Sequence, residues 1–178
     1  AHVASNVTET QSQRWERVCL GGTELEKVKK FCDEIDIEFL CTPFCLESLE
    51  WVTENCNKIK IASSDATWWK FVEKCIDSGK EILASTGISS WPEVESLVAR
   101  LPKGSTILHC VSEYPTALSK ATLGDIYKLQ TFSHLKVGLS DHTEGSIVPI
   151  LMASQGLSYI EKHFILSRSI PGGDVALS

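Results

Sequence analysis

The 178-residue sequence has no apolar run approaching the roughly 20 residues that a membrane-spanning helix needs. It also lacks a basic stripe and any interleaving of basic with aromatic residues. With a net charge of -6 spread among many lysines and arginines, it offers no track for a phosphate backbone, so nucleic acid is not an expected partner. Seven cysteines are present, but the number is odd and no CxxC pair exists, which argues against a zinc ribbon. Most of them read as buried, reduced thiols. The spacing of Cys41 and Cys45 is compatible with a metal pair, although "CTPFC" reads first as a strand running into a turn. The opening residues, "AHVASNVTET", lack the charged and apolar regions of a signal peptide. These absences point to a cytoplasmic protein that uses neither membrane nor nucleic acid.

What is present is a globular composition, 43% hydrophobic and 22% charged, enough for one domain with a core. From residue 37 onward, short apolar or β-branched runs alternate with amphipathic stretches. "IEFLCTPF" is followed by "LESLEWVTENC", "KIKIAS" by "TWWKFVEKCIDSG", and "KEILAST" by "SSWPEVESLVARL". The series continues with "STILHCV", "ATLGDIYKLQTF", "KVGLSD", "EGSIVPILMASQG" and "YIEKHF". This predicts six strands separated by five helices. Gly79 and Gly156 stand where helices stop, and Ser90 before Trp91 and Pro92 reads as an N-cap with proline in the first turn. Before residue 37 only "TELEKVKKFCDE" reads as a helix.

Strands this apolar require cover on both faces, so the sheet is expected to be parallel and wrapped by its crossover helices. An open doubly wound sheet gathers ligand groups at one switch point, whereas a barrel carries them at every strand end. Here every strand end is polar: Thr42; Lys60 with Ser63 and Asp65; Ser85 with Thr86; Ser112 with Tyr114; Ser140 with His142; Glu161 with His163. The expected class is therefore α/β, a TIM (β/α) barrel. It is incomplete, with residues 1–36 an N-terminal segment with one helix and residues 37–178 a partial barrel lacking two strands.

Side chains two apart in a strand share a face, so Ser140 lies with His142 and Glu161 with His163. If the two strands are neighbours, their ends lie about 5 Å apart and both imidazoles reach one ion. A lone histidine would as readily cap its strand through a backbone hydrogen bond. Two at equivalent strand ends favour a metal site, and with nearby carboxylates they suit Mn, Fe or Zn. His109, inside "ILHCV", reads as a hydrogen-bonded core residue. In "KIASSD" Lys60 enters the mouth beside hydroxyls and an acid, a cradle for phosphate or carboxylate to which Ser85 and Ser140 add. The competing reading is a solvated turn with a Lys-Asp pair. "EYPT" and "PGGD" are turn signals, with Tyr114 and Asp174 as possible sugar contacts.

"CTPF", "KIASSD", "STG", "LHCVSEYPT", "VGLSDHTEG", "IEKHF" and "PGGD", in this order and spacing, resemble the sialic acid synthase family over about residues 24–174. That family includes N-acetylneuraminate, legionaminate and pseudaminate synthases. The resemblance implies a TIM-barrel catalytic domain of which these strands are the third to eighth. It also implies condensation of phosphoenolpyruvate with the aldehyde of an N-acylated amino sugar such as N-acetylmannosamine. A divalent metal, Mn with Mg or Co as alternatives, would be held by His142 and His163. Lys60, Ser63, Ser85 and Ser140 match phosphoenolpyruvate-binding positions, and Thr42 matches another residue near it. Tyr114 and Asp174 match sugar contacts. Asp65 stands where the family usually has glutamate, and Ser112 where it often has asparagine. Asp65 and Lys60 are the implied catalytic pair, and Glu161 reads as orienting a ligand or packing against Lys162.

The sequence departs from the family in having no acid-bearing first strand, no Lys-x-Gln second strand and no antifreeze-like C-terminal domain. In the family that last domain delivers an arginine into the partner subunit of a swapped homodimer. Efficient catalysis by these residues alone is not expected. Two other classes remain open: a non-catalytic homologue that binds a sugar acid or a partner subunit, and another metal-dependent barrel lyase or hydrolase.

Overall fold

The computed structural model describes residues 10, 13, 19–167 and 169. They fall into two compact units, one ending at Phe39 and the other beginning at Leu40. The first contains α1 (Gly22–Glu34), which carries an exposed i,i+4 ion pair between Lys29 and Asp33 at 2.7 Å.

The second unit runs α2 (Leu46–Asn55), β1 (Lys58–Ile61), α3 (Trp69–Asp77), β2 (Glu81–Ser85), α4 (Trp91–Arg100) and β3 (Thr106–Cys110). A 3-10 turn at Leu118–Lys120 then leads to α5 (Gly124–Leu129), β4 (Lys136–Asp141), α6 (Ile147–Ala153) and β5 (Tyr159–Lys162). All five strands are parallel, in the order β1-β2-β3-β4-β5. Helix stop and start signals act where the sequence carries them, although α5 and α6 are shorter than the amphipathic stretches that contain them. Ser90 and Glu93 form a capping box at α4, with the Ser90 amide donating to Glu93 Oε2 at 2.7 Å. Gly79 and Gly156 take φ values of 70° and 72°, a left-handed stop that a side chain would strain.

The expected strand over residues 37–44 does not form. That segment makes no ladder with β1, whose partners are all in β2, and Pro43 removes one donor that a central strand would need. Among the described residues no helix is long and apolar enough to cross a membrane.

The registers divide the side chains into two faces. Ile59, Ile82, Ile107 and Leu139 fall on one face with Ile61 and Ala84, and all are buried. Phe71, Leu97 and Ile126 from the helices are also fully buried, and this apolar layer between sheet and helices is the core. The opposite face carries Lys60, Ser85, Cys110, Ser140 and Glu161, the last three opposite one another across successive ladders.

This polar face is concave. Lys60 on β1 and Glu161 on β5 are separated by four ladders, about 19 Å in a flat sheet, yet their charged ends approach to 3.2 Å. At the other end of the strands, Tyr159 of β5 donates to Glu81 of β2 at 3.3 Å. The sheet therefore curls far enough for its edge strands to touch across their inner surface, a half-barrel.

Gly138 permits one of these close layers. A Cβ there would lie 2.5 Å from Leu108 Cδ2 and 2.7 Å from the Tyr159 carbonyl oxygen, and backbone cannot yield as a side chain can. Gly138→Ala is therefore expected to cost about 2–3 kcal/mol by overpacking. Urea unfolding checks this, and a loss under about 0.5 kcal/mol would mean that the strand shifts freely.

Glu81 is held by Lys136 at 2.8 Å, which together with Tyr159 keeps its carboxyl below the ordinary carboxylate range. A depressed folded pKa means that the folded state binds fewer protons. The stabilisation is thus present above the ordinary carboxylate value and disappears as pH falls through the lower folded one. Because Lys136 is half exposed and the pair is screened, the contribution is on the order of 1 kcal/mol or less. The stability gap between the native chain and Glu81→Gln should close as unfolding is followed from neutral pH to acid; a gap independent of pH would refute the pairing.

Candidate functional site

The carboxyl ends of β1 to β5 deliver side chains by the period of two. Lys60, buried at 6% exposure, pairs with the half-exposed Glu161 across the sheet. The other carboxylate oxygen of Glu161 accepts from Ser140 Oγ at 2.7 Å. Glu161 thus bridges two of the groups expected to bind an anion. It does not pack against Lys162, because neighbouring residues in a strand point to opposite faces; Lys162 pairs with Asp141 at 2.7 Å on the outer side.

His142 and His163 stand one position beyond their strands with ring centres 5.3 Å apart, and they line one cleft of about 140 Å³ with Ser140 and Glu161, to which their chain neighbours Asp141 and Lys162 also contribute. His142 Nδ1 lies 2.7 Å from the Val111 carbonyl oxygen. A carbonyl only accepts, so Nδ1 carries the proton and the neutral ring presents its lone pair at Nε2. Burial pushes the His142 pKa down, which keeps the ring neutral near pH 7. Tyr114 stacks on His142 at 4.0 Å and meets His163 edge-on at 5.3 Å.

Two imidazoles sharing one ion at about 2.1 Å per nitrogen have ring centres roughly 5 Å apart, so the pair fits a divalent cation. Among the described residues no group of three or more His, Cys, Asp or Glu side chains forms a complete shell. Water or substrate oxygens would have to fill the remaining positions.

The hydroxyls gather around a residue that the sequence reading passed over. The buried Cys110 thiol lies among the Ser63, Ser140 and Ser112 hydroxyls, 3.8 Å from His142 Nδ1, and has its pKa raised by burial. A thiol so raised stays protonated and is not poised as a nucleophile. Gly87 comes close enough that an added Cβ would strike Ser112 Oγ at 2.3 Å and Cys110 Sγ at 2.9 Å; its amide donates to Ser63 at 2.9 Å. The Ser85 hydroxyl is buried without a hydrogen-bond partner, an orphan awaiting an acceptor or donor. Cys110 and Glu161 come level with Ser140 only through the ladder registers, which no stretch of sequence shows.

Other expected residues are seen only in their local contacts or lie outside the described residues. Asp65 lies in the turn after β1, where its carboxylate accepts from Ser64 Oγ at 3.2 Å and burial raises its pKa. Its charge acts on Cys75 of α3, whose thiol is pushed up to about 12, chiefly by burial. No hydrogen bond among the described residues ties Asp65 or the half-buried Thr42 to the cleft. Asp174 lies outside the described residues. Cys45 caps α2 by accepting from the Ser48 amide at 3.4 Å, which explains its place better than a metal pair with Cys41. His109 donates to the Ala121 carbonyl at 2.9 Å, as a core histidine does.

A curled parallel sheet with a cation, hydroxyls and paired imidazoles at the carboxyl ends of its strands defines an α/β protein of the barrel type. The chain belongs to the NeuB family, whose model matches residues 2–178. It is 37% identical to the pseudaminic acid synthase of Helicobacter pylori over 150 residues, covering 82% of this chain and 44% of that protein. It is 36% identical to the N,N'-diacetyllegionaminic acid synthase of Campylobacter jejuni over 146 residues, covering 78% of this chain and 44% of that protein. A crystal structure of the N-acetylneuraminic acid synthetase of Leptospira borgpetersenii superposes with a TM-score of 0.84 at 32% identity, covering 89% of this chain and 57% of that one. The chain spans less than half the length of either synthase matched by sequence.

Proposed function

We propose that the chain forms the larger part of the catalytic barrel of a sugar-acid synthase. The reaction joins phosphoenolpyruvate to the open-chain aldehyde of an N-acylated amino sugar, giving a nine-carbon 2-keto acid and inorganic phosphate. The observation that carries this reading is the convergence of Ser140 and Glu161 with the His142–His163 pair at one cleft, to which Lys60 is joined by its ion pair with Glu161. A cation and hydroxyls recognise an anionic substrate; two imidazoles a few ångströms away serve its aldehyde partner.

In atoms, C3 of phosphoenolpyruvate bonds to the aldehyde carbon, whose oxygen gains a proton and becomes a hydroxyl. Water adds at C2 and loses a proton. The bond from C2 to the phosphate oxygen then breaks, inorganic phosphate leaves with the electron pair, and the C2 hydroxyl passes its proton to the departing phosphate as the ketone forms. Lys60 supplies the fixed positive charge for the phosphate or carboxylate, and Ser63, Ser85, Ser112 and Ser140 supply hydroxyl donors. For the substrate anion to take Lys60 and Ser140, the Glu161 carboxylate gives up both contacts, which its half-exposed position allows. Glu161 is then the acid or base nearest the reacting centre. Asp65, whose carboxylate accepts from Ser64 in the turn after β1, is assigned no step. His142 Nε2 and His163 would hold a divalent cation, Mn first with Mg or Co as alternatives. Such an ion supplies a Lewis acid for the charge developing on the aldehyde oxygen. Tyr114, half exposed beside both imidazoles, lies where the sugar would stack.

The test is phosphate release by a protein containing this chain, with Mn2+ present. Release that requires both phosphoenolpyruvate and an N-acylated amino sugar supports the reading. Release with one substrate alone would assign the site to a lyase or hydrolase, and binding without release to a non-catalytic homologue.

A further inference from the structure

We infer that Asp141 and Lys162, with Thr143, form a brace on the outer side of the sheet that sets the spacing of His142 and His163; both charged residues are positioning residues. The inference rests on the reading of the histidine pair given above. In register, Asp141 lies opposite Lys162, as Ser140 lies opposite Glu161. Each outer residue is thus the chain neighbour of an imidazole: Asp141 precedes His142 and Lys162 precedes His163. Asp141 is buried and its carboxylate meets Lys162 Nζ at 2.7 Å. The same carboxylate accepts from the Thr143 amide at 3.1 Å and from Thr143 Oγ1 at 2.9 Å, so it grips the residue on the far side of His142. Lys162 Nζ also donates to the Thr143 carbonyl oxygen.

Past the last ladder rung the sheet offers no further backbone bonds between these two strands, yet this is where both imidazoles sit. The ion pair continues the connection one rung beyond that point. On the other side of His142, its carbonyl oxygen accepts from the Thr116 amide at 2.8 Å, and Thr116 bridges to Thr143. The backbone carrying His142 is therefore held from β5 by charge and from the segment after β3 by hydrogen bonds. The His163 side has the Lys162 anchor. A buried ion pair adds little net stability compared with an apolar pair, so positioning explains its presence better than stability does. Its effect on the histidines acts through geometry, as groups behind metal ligands do.

The experiment compares the native chain with Lys162→Met, Lys162→Arg and the double variant Asp141→Asn/Lys162→Met, which removes both charges and so does not strand a buried carboxylate. Binding of Mn2+ alone is followed by the resonance of the free ion, and the imidazole ring-proton contacts between residues 142 and 163 are followed by NMR without metal. The expected result is Mn2+ affinity about tenfold weaker in Lys162→Met and in the double variant, with native circular dichroism, and recovery in Lys162→Arg. Unchanged affinity in a folded Lys162→Met, or in the double variant if the single one does not fold, overturns the inference. If the native chain binds no Mn2+, the metal reading fails separately. The ring contacts then decide: lost in the charge-free variants and kept in Lys162→Arg, they support the brace, and kept in all they refute it.

Discussion

Replacing Lys60 with methionine is expected to cut the rate of phosphate release by about 10²–10³-fold, comparable to the loss of one preorganised charge-stabilising group. Lys60 is buried on the inner face of β1, and its ammonium is the cation that meets both Glu161 and, in the proposed reaction, the substrate anion. Methionine has a similar length and leaves no cavity, while Glu161 is exposed enough to rehydrate its carboxylate. The stability loss should therefore stay within about 1–2 kcal/mol, below the 3–5 kcal/mol typical of stranding a fully buried charge. Arginine should not restore activity, because its planar fork does not replace a compact ammonium in so confined a place. Steady-state phosphate release and urea unfolding, measured on the same variants, separate the two effects. A Lys60→Met protein with native activity would remove the anion from this cleft.

His142→Ala and His163→Ala should each abolish tight Mn2+ binding and lower phosphate release by roughly 10³-fold, equivalent to about 4 kcal/mol of barrier. The two variants differ in a way the structure anticipates. His142→Ala also strips the Val111 carbonyl of its 2.7 Å donor and removes the ring on which Tyr114 stacks, so it should lose some stability as well. His163 meets Tyr114 only edge-on and stands in the more open part of the cleft, so His163→Ala should lose activity with less effect on unfolding. If either variant keeps both metal affinity and turnover, the paired imidazoles do not share an ion. Thermal unfolding with and without Mn2+ gives the same answer without an activity assay, since a ligand that binds only the folded state raises its stability.

Much of the site was legible before any coordinates. The period of two placed Ser140 with His142 and Glu161 with His163, and the alternation of apolar runs with amphipathic stretches gave five strands that form. The sixth, over residues 37–44, failed because its apolar and β-branched composition describes a segment able to pair but not the partner it would pair with. Glu161 was read as orienting a ligand or packing against Lys162, and the second of these failed for a similar reason. Adjacency in sequence is visible, whereas its true partner, Lys60, is 101 positions away.

By itself, then, the sequence determined the local quantities: element type, helix stops at Gly79 and Gly156, the Ser90 cap, and the face on which each side chain sits. These follow from backbone geometry within a few residues. Only the tertiary structure decided that β1 and β5 meet across the inner surface and that Cys110 lies at the centre of the serine hydroxyls. It alone paired Lys60 with Glu161 and Asp141 with Lys162. Those contacts depend on four successive ladder registers and on the curvature they accumulate, and neither is a property of any short stretch of chain.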